Sequence, residues 1–271
     1  MLVPNVITLL ALCAGLTAIR LSIEGRLELA LAAIVFAAAL DGIDGRVARM
    51  IKGQSKFGAE LDSLADFVNF GVTPALILYF WQLHDLNNVG WIAAMIFAIS
   101  GGLRLARFNV AIEDPNKPAF AGNYFTGMPI PAGAICVLLP IYLAFVGFPQ
   151  FPPSLTAAYT LLIAFLMVSR LPVFSGKMVG TRVRPDVILP VFVVVVLFIA
   201  LLIGYPWYVL SICTVIYLLT LPLGYLSYRR QERLVAAEAA GPASAGHSTS
   251  PSSVSMGPLG SEHDERPSRL N

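Results

Sequence analysis

Eight apolar runs constrain this chain more than any other feature. They fall at 5–23, 27–51, 57–83, 89–110, 130–146, 154–171, 187–203 and 207–228. Each is close to the length, about 20 residues, that a helix needs to cross a hydrocarbon core roughly 30 Å thick. Of 271 residues, 57% are hydrophobic and 13% are charged, whereas a soluble domain carries about 25% charged residues. That leaves too little polar surface to cover eight such runs in water. In lipid the backbone must satisfy its own hydrogen bonds, so spanning runs of this length fold as helices. The expected fold class is therefore an all-α integral membrane protein with about eight transmembrane helices. The second and third runs are long enough to project beyond the bilayer core.

Charge placement orients the bundle. Linkers after even-numbered runs carry Arg46, Arg49, Lys52 and Lys56, then Arg104, Arg107 and Lys117, then Arg170, Lys177, Arg182 and Arg184. Arg229, Arg230 and Arg233 follow the eighth run, and linkers after odd-numbered runs carry only Arg20 and Arg26. The positive-inside rule places the even linkers and both termini in the cytoplasm of a multi-pass protein, in the inner or cell membrane if the source is bacterial. Residues 1–5 hold no Lys or Arg, so the first run reads as a retained helix rather than a cleaved signal peptide. Residues 1–228 form the expected transmembrane domain. Residues 229–271 form an expected cytoplasmic tail, rich in Ala, Gly, Ser and Pro from Ala236 onward and largely disordered.

Some function classes drop out. A net charge of +2 gives no general attraction to nucleic acid. Cys13, Cys136 and Cys213 lie far apart in apolar runs without metal-ligand spacing, and read as small hydrophobes.

The chemistry concentrates between residues 41 and 66. Ionisable groups in apolar spans are costly and usually functional. Asp41 and Asp44 lie near the cytoplasmic end of the second run, and Asp62 and Asp66 near the start of the third. The short linker makes the two helices antiparallel neighbours, so all four carboxylates lie at similar depth. At about 100° per residue, Asp41, Asp44, Gly45 and Ala48 share one narrow face, with Arg49 beside it. Asp62 and Asp66, four residues apart, share another. Four acids in low dielectric require compensating cations. Mg²⁺ or Mn²⁺ suits oxygen ligands, and two such ions can clamp a phosphoryl group during in-line displacement. Gly45 and Ala48 either admit a large ligand or serve helix packing. Arg49 either binds a phosphate or anchors the topology. Gly58 is expected to open space at the start of the third helix.

The pattern Asp41-x2-Asp44-Gly45-x2-Ala48-Arg49-x8-Gly58-x3-Asp62-x3-Asp66 resembles the complete signature of the CDP-alcohol phosphotransferase family, with every spacing kept. The resemblance implies attack on the β-phosphorus of a CDP-linked lipid, with CMP leaving. It implies that Asp41, Asp44 and Asp62 bind metal. It makes Asp66 the general base for the incoming hydroxyl, also touching the second metal. It assigns Gly45, Arg49 and Ser55 to the CDP diphosphate and ribose, and Asn5 and Thr8 to the nucleotide side. A homodimer is a further implication.

Flanking segments narrow the acceptor. The stretch 57–75, with Arg104-Leu105-Ala106-Arg107-Phe108-Asn109 and Phe125-Thr126-Gly127-Met128-Pro129-Ile130-Pro131-Ala132, resembles the serine-using, membrane-embedded subgroup. The expected reaction joins CDP-diacylglycerol and L-serine to give phosphatidylserine and CMP. Serine's carboxylate needs a cation near the metals. Arg104, Arg107, Lys177 and Arg182 lie on the correct side, each either meeting that carboxylate or anchoring topology. Asn109 offers a carbonyl oxygen to the ammonium. Pro129 and Pro131 are expected to shape the start of the fifth span. The alternatives are a phosphatidylglycerophosphate synthase, which would demand a denser basic cluster, and a cation transporter, which would place its acids nearer mid-membrane.

Overall fold

The computed structural model describes residues 2–50, 55–113, 124–169, 172–174 and 185–222. The eight apolar runs appear there as eight helical spans. Helix α1 (Leu2–Ile23) turns through Gly25, at φ +75°, into α2 (Leu27–Met50). The third span, Lys56–Trp81, is continuous but not uniform. It comprises α3 (Lys56–Asp66), a π-helical turn (Phe67–Val72) and α4 (Thr73–Trp81). A 3₁₀ turn at Leu83–Leu86 leads to α5 (Asn88–Glu113). The fifth span divides into α6 (Ile130–Val137) and α7 (Leu139–Val146), interrupted where Pro140 lacks an N–H. Helices α8 (Pro153–Val168), α9 (Pro185–Gly204) and α10 (Pro206–Pro222) complete the bundle. The only strands among the described residues form a small antiparallel ribbon pairing Tyr124–Thr126 with Pro172–Phe174. Pro129 caps α6 as expected, with a proline in its first turn.

Helix association in lipid relies on close packing rather than on expulsion of water, and α1 is built for it. Thr8, Ala11, Gly15, Ala18 and Ser22 recur at spacings of three and four, and all are buried. Ala18 meets the same core as Ala30, Leu31 and Ile34 of α2. At Gly15 a β-carbon would run into the Asn69 Oδ1 of the π turn, so a larger residue there would force the buried Asn69 side chain to move. On the other side of the π turn, Gly101 of α5 lies so near that its β-carbon would be 3.3 Å from the Gly71 Cα.

The π turn has a local cause. Pro74 offers no N–H to the carbonyl four residues back, and its ring crowds that carbonyl. The helix widens there instead of breaking. The Val68 carbonyl accepts both the Thr73 N–H, the wider bond of the π turn, and the Thr73 hydroxyl at 2.9 Å. Such insertions recur at functional sites, and this one begins directly after Asp66.

The opposite end of the bundle is held by Gln82. Its side chain donates to the Phe151 carbonyl and accepts from Thr156 Oγ1 at 2.7 Å. Trp91, Phe148, Tyr205 and Tyr208 are exposed around that end, as expected of aromatic residues at a bilayer interface. Helix α9 exposes Phe192, Val194, Leu197 and Phe198 around its circumference, the surface of a helix bordered by lipid.

Candidate active site

Four helices bring their polar residues to one end of the bundle. Near the C-terminal end of α2 stand Asp41 and Asp44, and on α3 stand Asp62 and Asp66. Thr8 comes from the start of α1 and Arg104 from the second half of α5. Carboxylate oxygens of Asp41, Asp62 and Asp66 all lie within 4.8 Å of one another. Three hard oxygen donors at that separation suit a divalent cation. One oxygen of Asp66, and one of Asp44, is buried without a hydrogen-bond partner. A buried carboxylate oxygen left bare is costly, so the donor set fits a metal site.

Asp44 stands apart from the other three. It is 3% exposed, and its Oδ2 accepts a 2.8 Å hydrogen bond from the Thr8 hydroxyl. Thr8 also bonds the Pro4 carbonyl at 3.1 Å, which sets its rotamer. Thr8 thus positions Asp44 here, a role beyond the nucleotide contact expected of it.

Gly45 is half-buried, and a β-carbon there would meet no heavy atom of the described residues within 4 Å. Helix packing does not explain this glycine, so the open volume beside Asp41 and Asp44 favours ligand approach. Gly58 corrects its expectation. Its β-carbon would be 3.0 Å from Asn5 Oδ1 and 3.1 Å from Ser55 Oγ, so it makes close packing possible rather than leaving room. Ser55 is the N-cap of α3 and accepts from the Gly58 N–H at 3.0 Å. Asn5 of α1 therefore packs against the start of α3 at Gly58. Ala48 and Arg49 lie on α2, but their side chains are outside the described residues, as are Lys177 and Arg182.

The candidate acceptor residues separate. Arg107 is exposed and donates to the Val168 carbonyl at 2.7 Å, capping α8. Asn109 donates from its amide nitrogen to Ser63 Oγ at 3.0 Å, bracing α5 against the helix of Asp62 and Asp66. Arg104 is 7% exposed, its Nε has no hydrogen-bond partner, and its guanidinium lies 5.4 Å from the Phe108 ring centroid. It is within electrostatic reach of Asp66. Of the two arginines, Arg104 is the one buried within electrostatic reach of Asp66 with its Nε unpartnered.

Models of known families decide the affiliation. Residues 1–170 match the CDP-alcohol phosphatidyltransferase model, and residues 186–222 match CDP-alcohol phosphatidyltransferase 2. The chain belongs to the CDP-alcohol phosphatidyltransferase family. The first match contains every aspartate of the site, and the second covers α9 and α10. Among curated family members, a Mycobacterium tuberculosis (strain H37Rv) protein named CDP-diacylglycerol–serine O-phosphatidyltransferase is 50% identical over 137 residues, covering 51% of this chain and 48% of that protein. This chain thus matches about half the length of that relative. A Mycobacterium leprae (strain TN) protein of the same name is 37% identical over 230 residues, 84% of this chain and 76% of its own. A Helicobacter pylori (strain 26695) protein of that name is 33% identical over 220 residues, 80% and 88% respectively.

Proposed function

We propose that this chain transfers the phosphatidyl group of CDP-diacylglycerol to the hydroxyl of L-serine, giving phosphatidylserine and CMP. The observation that carries phosphoryl transfer is the convergence of Asp41, Asp62 and Asp66 within 4.8 Å beside the open flank of Gly45. Serine as acceptor is supported by relatives of that name at 33–50% identity.

Asp41, Asp62 and Asp66 would hold Mg²⁺ or Mn²⁺, with Asp44 beside them and two ions as the expected number. When bound, a divalent cation supplies charge neutralisation for the diphosphate and for the departing CMP. Thr8 keeps Asp44 in one orientation, and Arg49 is placed by its motif position to pair with phosphate oxygens. The missing side chain at Gly45 lets the diphosphate come against α2. Asp66 sits where the widened turn begins, and its carboxylate takes the proton from the acceptor hydroxyl as that oxygen bonds to the β-phosphorus. The bond from phosphorus to the oxygen of CMP breaks, and CMP leaves with the electron pair. A positioned base of this kind contributes roughly 10²–10⁴ in rate.

The chain is an integral membrane protein. Its orientation, with the site and both termini cytoplasmic, rests on the placement of Arg and Lys. The division into a membrane domain at 1–228 and a tail at 229–271 is part of the same reading, as is the homodimer implied by the family resemblance.

The deciding experiment supplies purified protein with Mn²⁺ or Mg²⁺, CDP-diacylglycerol and labelled serine. Labelled lipid and stoichiometric CMP are expected. Incorporation from glycerol 3-phosphate but none from serine would overturn the acceptor.

A further inference from the structure

Four buried polar atoms, one on α5 and three on α10, have no hydrogen-bond partner: Arg104 Nε, Tyr217 Oη, Thr214 Oγ1 and Ser211 Oγ. Leaving such groups bare costs each its hydration. In membrane helices Ser and Thr commonly donate back to a carbonyl four residues earlier, yet Thr214 and Ser211 do not. They lie on successive turns of α10, with Tyr217 nearest its C-terminal end. Tyr217 and Asp66 are both within electrostatic reach of Arg104. The Arg104 guanidinium thus has the Asp66 carboxyl and the Tyr217 phenol as its electrostatic neighbours. The guanidinium and the phenol are both donors, and a buried pair of donors beside a cationic group is satisfied by an anion.

We propose that Tyr217 is a specificity residue of the acceptor pocket: its hydroxyl and the Arg104 guanidinium together hold the acceptor's carboxylate, which sets the acceptor hydroxyl beside Asp66. This rests on the serine reading above. The carboxylate is the group that distinguishes serine from a simple amino alcohol. A tyrosine–arginine pair therefore selects an amino acid over ethanolamine.

The test uses the full chain in detergent with CDP-diacylglycerol and labelled serine. For Tyr217→Phe, KM for serine should rise about tenfold, while KM for CDP-diacylglycerol stays within twofold and saturating serine recovers most of the rate. A tenfold change corresponds to about 1.4 kcal/mol, one hydrogen bond to a charged group. If KM for serine is unchanged, or if both KM values rise together, Tyr217 does not bind the acceptor. The unaltered protein provides a second measurement that is independent of how the variant folds. L-alanine, which keeps the carboxylate and ammonium, should compete with serine, and ethanolamine should not. Equal competition by the two overturns the carboxylate pocket. No serine incorporation by the unaltered protein is a different outcome, and it removes the proposed reaction itself.

Discussion

Replacing Gly45 by alanine separates a glycine kept for a ligand from one kept for folding. The new β-carbon would have no heavy atom of the described residues within 4 Å, so they offer no clash. Gly45 lies inside α2, where exchanging glycine for alanine stabilises a helix by about 0.5–1 kcal/mol. The variant should therefore unfold at the same or a slightly higher temperature. Its CDP-lipid affinity should fall, because the diphosphate must occupy the volume that the methyl takes. Crowding a close-packed contact by one methyl costs roughly 1–3 kcal/mol, or about five- to a hundredfold in affinity. The assay pairs a thermal melt in detergent with KM for CDP-diacylglycerol at saturating serine. A variant with an unchanged melt and unchanged KM would refute the assignment of this volume to the donor. A lowered melt would show instead that Gly45 is structural.

Other perturbations have equally definite outcomes. Gly15→Ala drives a β-carbon into Asn69 Oδ1, so its melt should fall by the equivalent of roughly 1–3 kcal/mol; an unchanged melt would mean that the helix crossing is loose. Thr8→Val removes a 2.8 Å hydrogen bond to the buried Asp44, a bond worth about 1.5–3 kcal/mol. The Mn²⁺ concentration for half-maximal activity should rise at least tenfold, and no change would detach Asp44 from the metal site. Asp66→Asn should abolish turnover while CDP-lipid binding largely persists; retained activity would remove Asp66 as the base. Chelation should abolish activity and lower the melting temperature, with Mn²⁺ or Mg²⁺ restoring both, whereas full activity in excess chelator would contradict a divalent metal.

The aspartate stripes were legible because helical periodicity is local. Asp41 and Asp44, like Asp62 and Asp66, are within four residues of each other, and a short linker forces their helices together. The role of Thr8 was not legible in the same way. Its partner Asp44 is 36 residues away, and no pattern around Thr8 specifies which acid it meets. Gly58 was misread because only the placement of Asn5 from another helix reveals how little space remains there. Arg107 and Arg104 are three residues apart and alike in sequence, yet one caps α8 and the other is buried near Asp66. That difference arises from which face of α5 meets α8. The π turn had a visible signal in Pro74, but a continuous apolar run read as one uniform helix.

By itself the sequence determined the membrane class, the eight helical spans and the acids at one end of the bundle. Hydrophobic length and helical phase are properties of neighbours along the chain, and they hold whatever the packing. Tertiary structure decided which carboxylates converge and which one Thr8 restrains. It also decided which arginine is buried with its Nε unpartnered, and that Tyr217, more than a hundred residues from Arg104, comes within its electrostatic reach. Those outcomes depend on how side chains from separate helices fill a shared volume, and no stretch of local sequence encodes that.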